Sequence, residues 1–230
     1  SPLWDPTNPP STSRLRGAIW VFHGSAAGIV ASTGSDADAV IVSDVDNAEF
    51  GSSVSGAGDA NGDGYADLLV GASGWSDDPL QPDEGAVFLF LGSSGGISAT
   101  TIGDADTTLE GNRTAAFAGQ DVAGRGDLNG DGFADFVVGD CLFSDGEFDE
   151  GAILVFYGSS SGIPSNPVIA LTDHANTLIE GNMVLLGLGG SMTVASDVNG
   201  DGFADLGVGC PAWGASGITG EDALLVFHGG

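Results

Sequence analysis

The chain has 230 residues, 32 acidic side chains against 4 arginines and no lysine, a formal net charge of -28, and 40 glycines. Such a charge repels nucleic acid and anionic membranes, and the glycines lack the triplet period of collagen. The apolar runs, such as Ala152 to Tyr157, are far too short to cross a bilayer, while the length suffices for one all-β domain with a real core.

Residues 1–16 carry four prolines with Ser and Thr and read as a linker or tail. No charged-then-apolar leader is visible, so any secretion signal is expected to have been removed or omitted. Gly17-Ala-Ile-Trp-Val-Phe22 is the first strand, and a second is expected at about 39–44. After Phe50-Gly51 comes an acidic loop, Asp59-Ala-Asn61-Gly-Asp63-Gly-Tyr65-Ala-Asp67, which runs into the apolar stretch Leu68-Leu-Val70. Gly71-Ala-Ser73 closes that stretch, and the strand Gly85-Ala-Val-Phe-Leu-Phe90 and the segment Thr108-Leu-Glu-Gly111 follow.

The same order then recurs. Ala118-Gly119 precedes the loop Asp127-Leu-Asn129-Gly-Asp131-Gly-Phe133-Ala-Asp135, which is followed by Phe136-Val-Val138, Gly139-Asp-Cys141, Gly151-Ala-Ile-Leu-Val-Phe156 and Leu178-Ile-Glu-Gly181. Leu188-Gly189 precedes Asp197-Val-Asn199-Gly-Asp201-Gly-Phe203-Ala-Asp205, then Leu206-Gly-Val208, Gly209-Cys-Pro211 and Asp222-Ala-Leu-Leu-Val-Phe227. The first loop aspartates, 59, 127 and 197, set a period of 68 and then 70 residues. Four short strands per period between glycine-rich turns mark a propeller blade.

Each loop offers side-chain oxygens at positions 1, 3 and 5 and a carboxylate at position 9. The position-7 residues Tyr65, Phe133 and Phe203 can each add a backbone carbonyl. This oxygen-only set suits calcium, one ion per loop and three in all. An EF-hand would need an acid at position 12 and helical flanks, but Val70, Val138 and Val208 stand there within strand-like runs. A plain Asx turn would need only one or two of the repeated oxygens.

These residues resemble the FG-GAP repeats of integrin α-subunit propellers, over roughly residues 17–230. The resemblance implies an all-β propeller of four-stranded antiparallel blades, with the calcium loop joining the first two strands of a blade. It also implies a calcium-stabilised module for adhesion or recognition, outside the cell or at its surface. Departures are Ala118 and Leu188 in place of Phe, and Gly-Asp-Cys at 139–141 in place of Gly-Ala-Pro. The expected partner is a protein or carbohydrate ligand at a propeller rim, with no nucleic acid and no membrane insertion. The alternatives are the propeller domain of a secreted enzyme acting on polysaccharide or phosphoester, and a structural subunit of a surface assembly.

Three bound calcium ions would raise the net charge only to -22, so the acidity exceeds the metal loops and also suits a high-salt or marine medium. Cys141 and Cys210 follow equivalent strands and are expected as free thiols. His23 and His228 share a slot with Leu91 and Tyr157, which reads as packing at a strand end. No catalytic constellation stands out. The acidic stretches 76–84 and 144–150 read as solvated loops or weak extra cation sites, and Trp75, Phe143 and Trp213 as packing between blades. About three blades are visible, fewer than a closed propeller's usual four to eight. The expectation is a segment of a longer chain, or a protomer sharing strands with its neighbours.

Overall fold

The computed structural model describes residues 15–77, 79–163, 169–184, 186–210 and 223–230. Most of the segment read as a tail, together with Trp213, lies outside them. Leu15 and Arg16 already belong to the fold, since their carbonyls accept the N–H groups of Glu49 and Phe50.

Alternating apolar runs between turns give fourteen described strands in four sheets. The first sheet pairs β1 (Ala18–Val21) with β2 (Ala39–Val42). The second is an antiparallel meander of β3 (Phe50–Gly58), β4 (Asp67–Ala72), β5 (Ala86–Phe90) and β6 (Thr107–Glu110). The third repeats it with β7 (Val122–Gly126), β8 (Asp135–Asp140), β9 (Ala152–Phe156) and, after a short strand β10 (Ile169–Ala170), β11 (Thr177–Glu180). In the fourth, β12 (Met192–Ala195), β13 (Asp205–Cys210) and β14 (Ala223–Phe227) lie side by side. This is the two, four, four and three strands expected of successive propeller blades. The described strands do not close a ring.

One feature had no sequence signal. β10 pairs in parallel with β6 of the preceding blade, and the chain then makes a single helical turn, α1 (Leu171–His174), before β11. A parallel bridge from Thr101 to Val42 repeats the arrangement one blade earlier. Each covers part of an outer strand's open edge.

The middle strands are buried on both faces, because blades stack face to face. Val70, Phe88 and Phe90 face Ile19 and Ile41 of the first sheet. Their alternates Leu69, Val87 and Leu89 meet Phe136, Val138 and Phe156 of the third, whose other face carries Val137 and Ile153 against Leu206 and Val208. Phe50 meets Phe88 edge to face at 5.8 Å, and Phe136 stacks on Phe156 at 5.1 Å. Trp75 packs edge to face on Phe88 at 5.2 Å, so it serves the core.

The in-phase glycines mark where one blade touches the next. A Cβ on Gly71 would lie 2.0 Å from the carbonyl oxygen of Gly119, and one on Gly139 would lie 1.9 Å from that of Gly189. Gly119 and Gly189 themselves have φ of +79° and +92°, which favour glycine. Gly139→Ala is therefore expected to destabilise by at least the ~1–3 kcal/mol of an overpacked site. Gly209→Ala, whose Cβ would meet nothing closer than 3.6 Å among the described residues, is expected to be tolerated. Urea denaturation of the two variants checks this; equal stabilities would refute it.

Candidate metal centre

The three loops join β3 to β4, β7 to β8 and β12 to β13, the first two strands of each blade. Their glycines permit the winding: Gly62 and Gly64 have φ of +74° and +92°, and Gly130, Gly132, Gly200 and Gly202 follow suit.

One set of side-chain bonds recurs in every copy. Asp59 accepts the N–H groups of Asp63 at 3.0 Å and Gly64 at 2.9 Å. Asn61 Oδ1 accepts the Asp63 N–H, its amide nitrogen donates to Asp63 Oδ2, and Asp63 Oδ1 accepts the Tyr65 N–H at 2.9 Å. Asp127, Asn129, Asp131 and Phe133 make the matching bonds, as do Asp197, Asn199, Asp201 and Phe203. Positions 1, 3 and 5 are thus held on one turn, half-buried or exposed, with oxygen atoms as the donor set a hard cation requires.

Position 9 differs from the others. Asp67, Asp135 and Asp205 are buried at the start of the second strand. Asp67 accepts the N–H of Ala60 across its own loop and that of Gly92 beyond β5. Asp135 does the same with Leu128 and Gly158. These carboxylates brace the loop to the blade, and each oxygen retains a second lone pair. Burial raises Asp67 above the ordinary carboxylate range and pushes Asp135 up to about 6, against the lowering effect of those N–H groups. Asp205 is instead held below that range, chiefly by the Val198 N–H and also by the His228 ring.

That ring adds a polar contact to the packing expected of the histidine slot, where Leu91 and Tyr157 pack on the core and the His23 ring lies against Gly96. His228 Nδ1 lies 3.0 Å from Asp205 Oδ1, and His23 stands exposed beside Asp38. In the last blade the slot passes the position-9 carboxylate of the loop, whereas Asp38 of the first sheet lies directly before β2.

Neighbouring loops are stacked on each other. A Cβ on Gly62 would lie 2.4 Å from the ring of Phe133, and one on Gly130 would lie 2.5 Å from that of Phe203. The Ala134 N–H bonds to the Asp59 carbonyl, and the Ala204 N–H to that of Asp127. Position 4 is therefore glycine for the next loop's aromatic ring as well as for its own turn.

Among the described residues, the three acidic side chains whose oxygens lie within 4.8 Å of one another are Asp77, Glu84 and Glu110, outside these loops. Asp77 and Glu84 belong to an acidic stretch visible in the sequence. Glu110, at the end of β6, comes to them only through the pairing of β5 with β6. Cys141 and Cys210 are both free thiols.

Residues 50–90, from β3 to β5, match the FG-GAP repeat model. The chain is 35% identical over 175 residues to integrin alpha-IIb of Mus musculus, covering 74% of this chain and 15% of that one. It is 31% identical over 167 residues to integrin alpha-4 of Xenopus laevis, covering 70% and 14%. It is 34% identical over 157 residues to phosphatidylinositol-glycan-specific phospholipase D of Bos taurus, covering 66% and 18%. The matches thus span less than a fifth of these relatives, and lend no support to a high-salt or marine source.

Proposed function

Because the chain belongs to the FG-GAP repeat family, we propose that it is an extracellular calcium-binding propeller module that recognises a protein or glycan ligand. The observation that carries the calcium assignment is the threefold repetition of one loop geometry, with Asp, Asn and Asp at positions 1, 3 and 5 on each turn. The assigned ligands are Asp59, Asn61, Asp63, the Tyr65 carbonyl and Asp67, with Asp127, Asn129, Asp131, Phe133 and Asp135, and Asp197, Asn199, Asp201, Phe203 and Asp205, in the other two loops. A bound calcium supplies positive charge where carboxylates otherwise repel. Asp63 and its counterparts hold the loop closed through the next N–H but one, while the position-9 carboxylates tie it to the blade.

Adhesion is the reading that the integrin relatives favour. The phospholipase relative favours a second, in which the module accompanies an enzyme. A glycan and protein array probed with and without calcium tests recognition. A calcium-dependent ligand supports it, and calcium binding with no ligand on either array leaves the accompanying-module reading.

Asp131→Ala is expected to remove one calcium equivalent and leave the other loops filled, since each loop carries its own oxygens. Calorimetric stoichiometry checks this. Loss of all the loop sites together would show that the stacked loops fill as a unit.

A further inference from the structure

We propose that Asp77, Glu84 and Glu110 form a further calcium site, separate from the three loops and built on the first complete blade. Asp77 lies in the connection after β4, Glu84 two residues before the start of β5 and Glu110 ends β6, and their carboxylate oxygens lie within 4.8 Å of one another. Asp77 is exposed, whereas Glu84 is 0% and Glu110 2% exposed.

The geometry shows an unmet demand for positive charge. Glu84 accepts the Asp77 N–H through Oε1 at 3.3 Å, while its buried Oε2 has no hydrogen-bond partner among the described residues. Glu110 accepts the Trp75 indole N–H at 3.3 Å, a neutral donor. Two of the described arginines are engaged elsewhere: Arg16 pairs with Asp46 and Arg113 with Asp140. A buried carboxylate without a partner is costly, and a bound cation is one of the usual remedies.

The next blade supplies the control. There Glu150 stands in the place of Glu84, but its two oxygens accept the N–H groups of Asp145 at 2.8 Å and Asn182 at 2.9 Å. Asp145, Glu150 and Glu180 do not converge as the first set does. The convergence is thus particular to one blade and not a general property of the repeat.

Room for the ion's remaining ligands is present. Asp77 and Glu110 line an open cavity of about 400 Å³ that also reaches Asp44 and Thr101. Calcium takes six to eight oxygens in flexible geometry, so three carboxylates and cavity waters make a suitable shell. Glu84 and Glu110 anchor the ion from the core side, and Asp77 closes it from solvent.

Trp75 provides the test, because its indole touches Glu110 while the loop aromatics are Tyr65, Phe133 and Phe203. Terbium, replacing calcium, is titrated with excitation at the red edge of tryptophan absorption. Sensitised emission that calcium displaces is expected, lost in Glu84→Gln, Glu110→Gln and Trp75→Phe and retained in the loop variant Asp63→Asn. Asp77→Asn, at an exposed position that spares the core, is expected to weaken the terbium titration at least about tenfold, the scale of perturbed metal ligation. Calorimetric calcium stoichiometry should fall by one in Glu110→Gln but not in Trp75→Phe. Absence of sensitised emission from the parent protein, or emission unchanged by Asp77→Asn and Glu110→Gln, would overturn the proposal. Loss of the loop sites alone would leave this signal standing.

Discussion

Chelation of calcium is expected to lower the melting temperature of this protein by tens of degrees relative to the saturated state. Affinities in the extracellular range, about 0.1–1 mM, place each loop at hundredfold saturation in roughly 10–100 mM calcium. Binding to the folded chain alone then stabilises by about 2.7 kcal/mol per site, or about 8 kcal/mol for three loops. At roughly 2–4 °C per kcal/mol for a chain of this size, the shift is on the order of 15–30 °C. Thermal unfolding in a chelator and across a calcium series measures it. A melting temperature independent of calcium would refute the three-loop assignment, while one that shifts equally with magnesium would refute its selectivity. Sodium chloride is the necessary control, since screening relieves general repulsion among so many carboxylates. It should recover only part of the shift.

The loops and strands were legible because their signals are local. Asp, Asn and Asp two residues apart, glycines at positions 4 and 6 and a following Val-rich run all fall within a dozen residues, and three copies in phase reveal the blade. The roles of the remaining repeat residues depend on contacts between blades. Gly71 and Gly119 are 48 residues apart in sequence, and nothing in either segment says that one backbone lies against the other. The same holds for Gly62 against Phe133, which gives position 4 a second reason to be glycine.

The candidate sites divide in the same way. Positions 1, 3 and 5 were readable from spacing alone, whereas the bracing role of Asp67, Asp135 and Asp205 required the Gly92, Gly158 and Gly229 N–H groups from beyond the third strand. Glu110 could not be joined to Asp77 from sequence, because strand register brings them together. The bond between His228 and Asp205 was illegible for a related reason. A slot shared with Leu and Tyr looks apolar until the buried carboxylate beside it is known.

Arg113→Ala is expected to destabilise the protein by up to about 3–5 kcal/mol, the cost of stranding the buried Asp140 carboxylate without its partly exposed partner. The second repeat departs from the others at Asp140, where the first has Ala72. That acid is 3% exposed at the end of β8, and it is met by the Arg113 guanidinium, which reaches over from the connection after β6. The guanidinium also lies 4.4 Å from the centre of the Phe143 ring, so the aromatic of this repeat packs under a cation where Trp75 packs on Phe88. Burial holds Asp140 above the ordinary carboxylate range even with Arg113 nearby, and removing the arginine raises it further. A folded pKa above the unfolded one means that stability is retained below about 4 and lost as pH rises through the folded value. The penalty for Arg113→Ala should therefore be larger at pH 8 than at pH 5. Asp140→Ala, which restores the residue type of the first repeat, should recover much of the loss when combined with Arg113→Ala. Urea denaturation of the two single variants and the double variant at both pH values decides it. A cost below about 0.5 kcal/mol for Arg113→Ala, the size of an exposed surface change, would mean that Asp140 is supported without its partner.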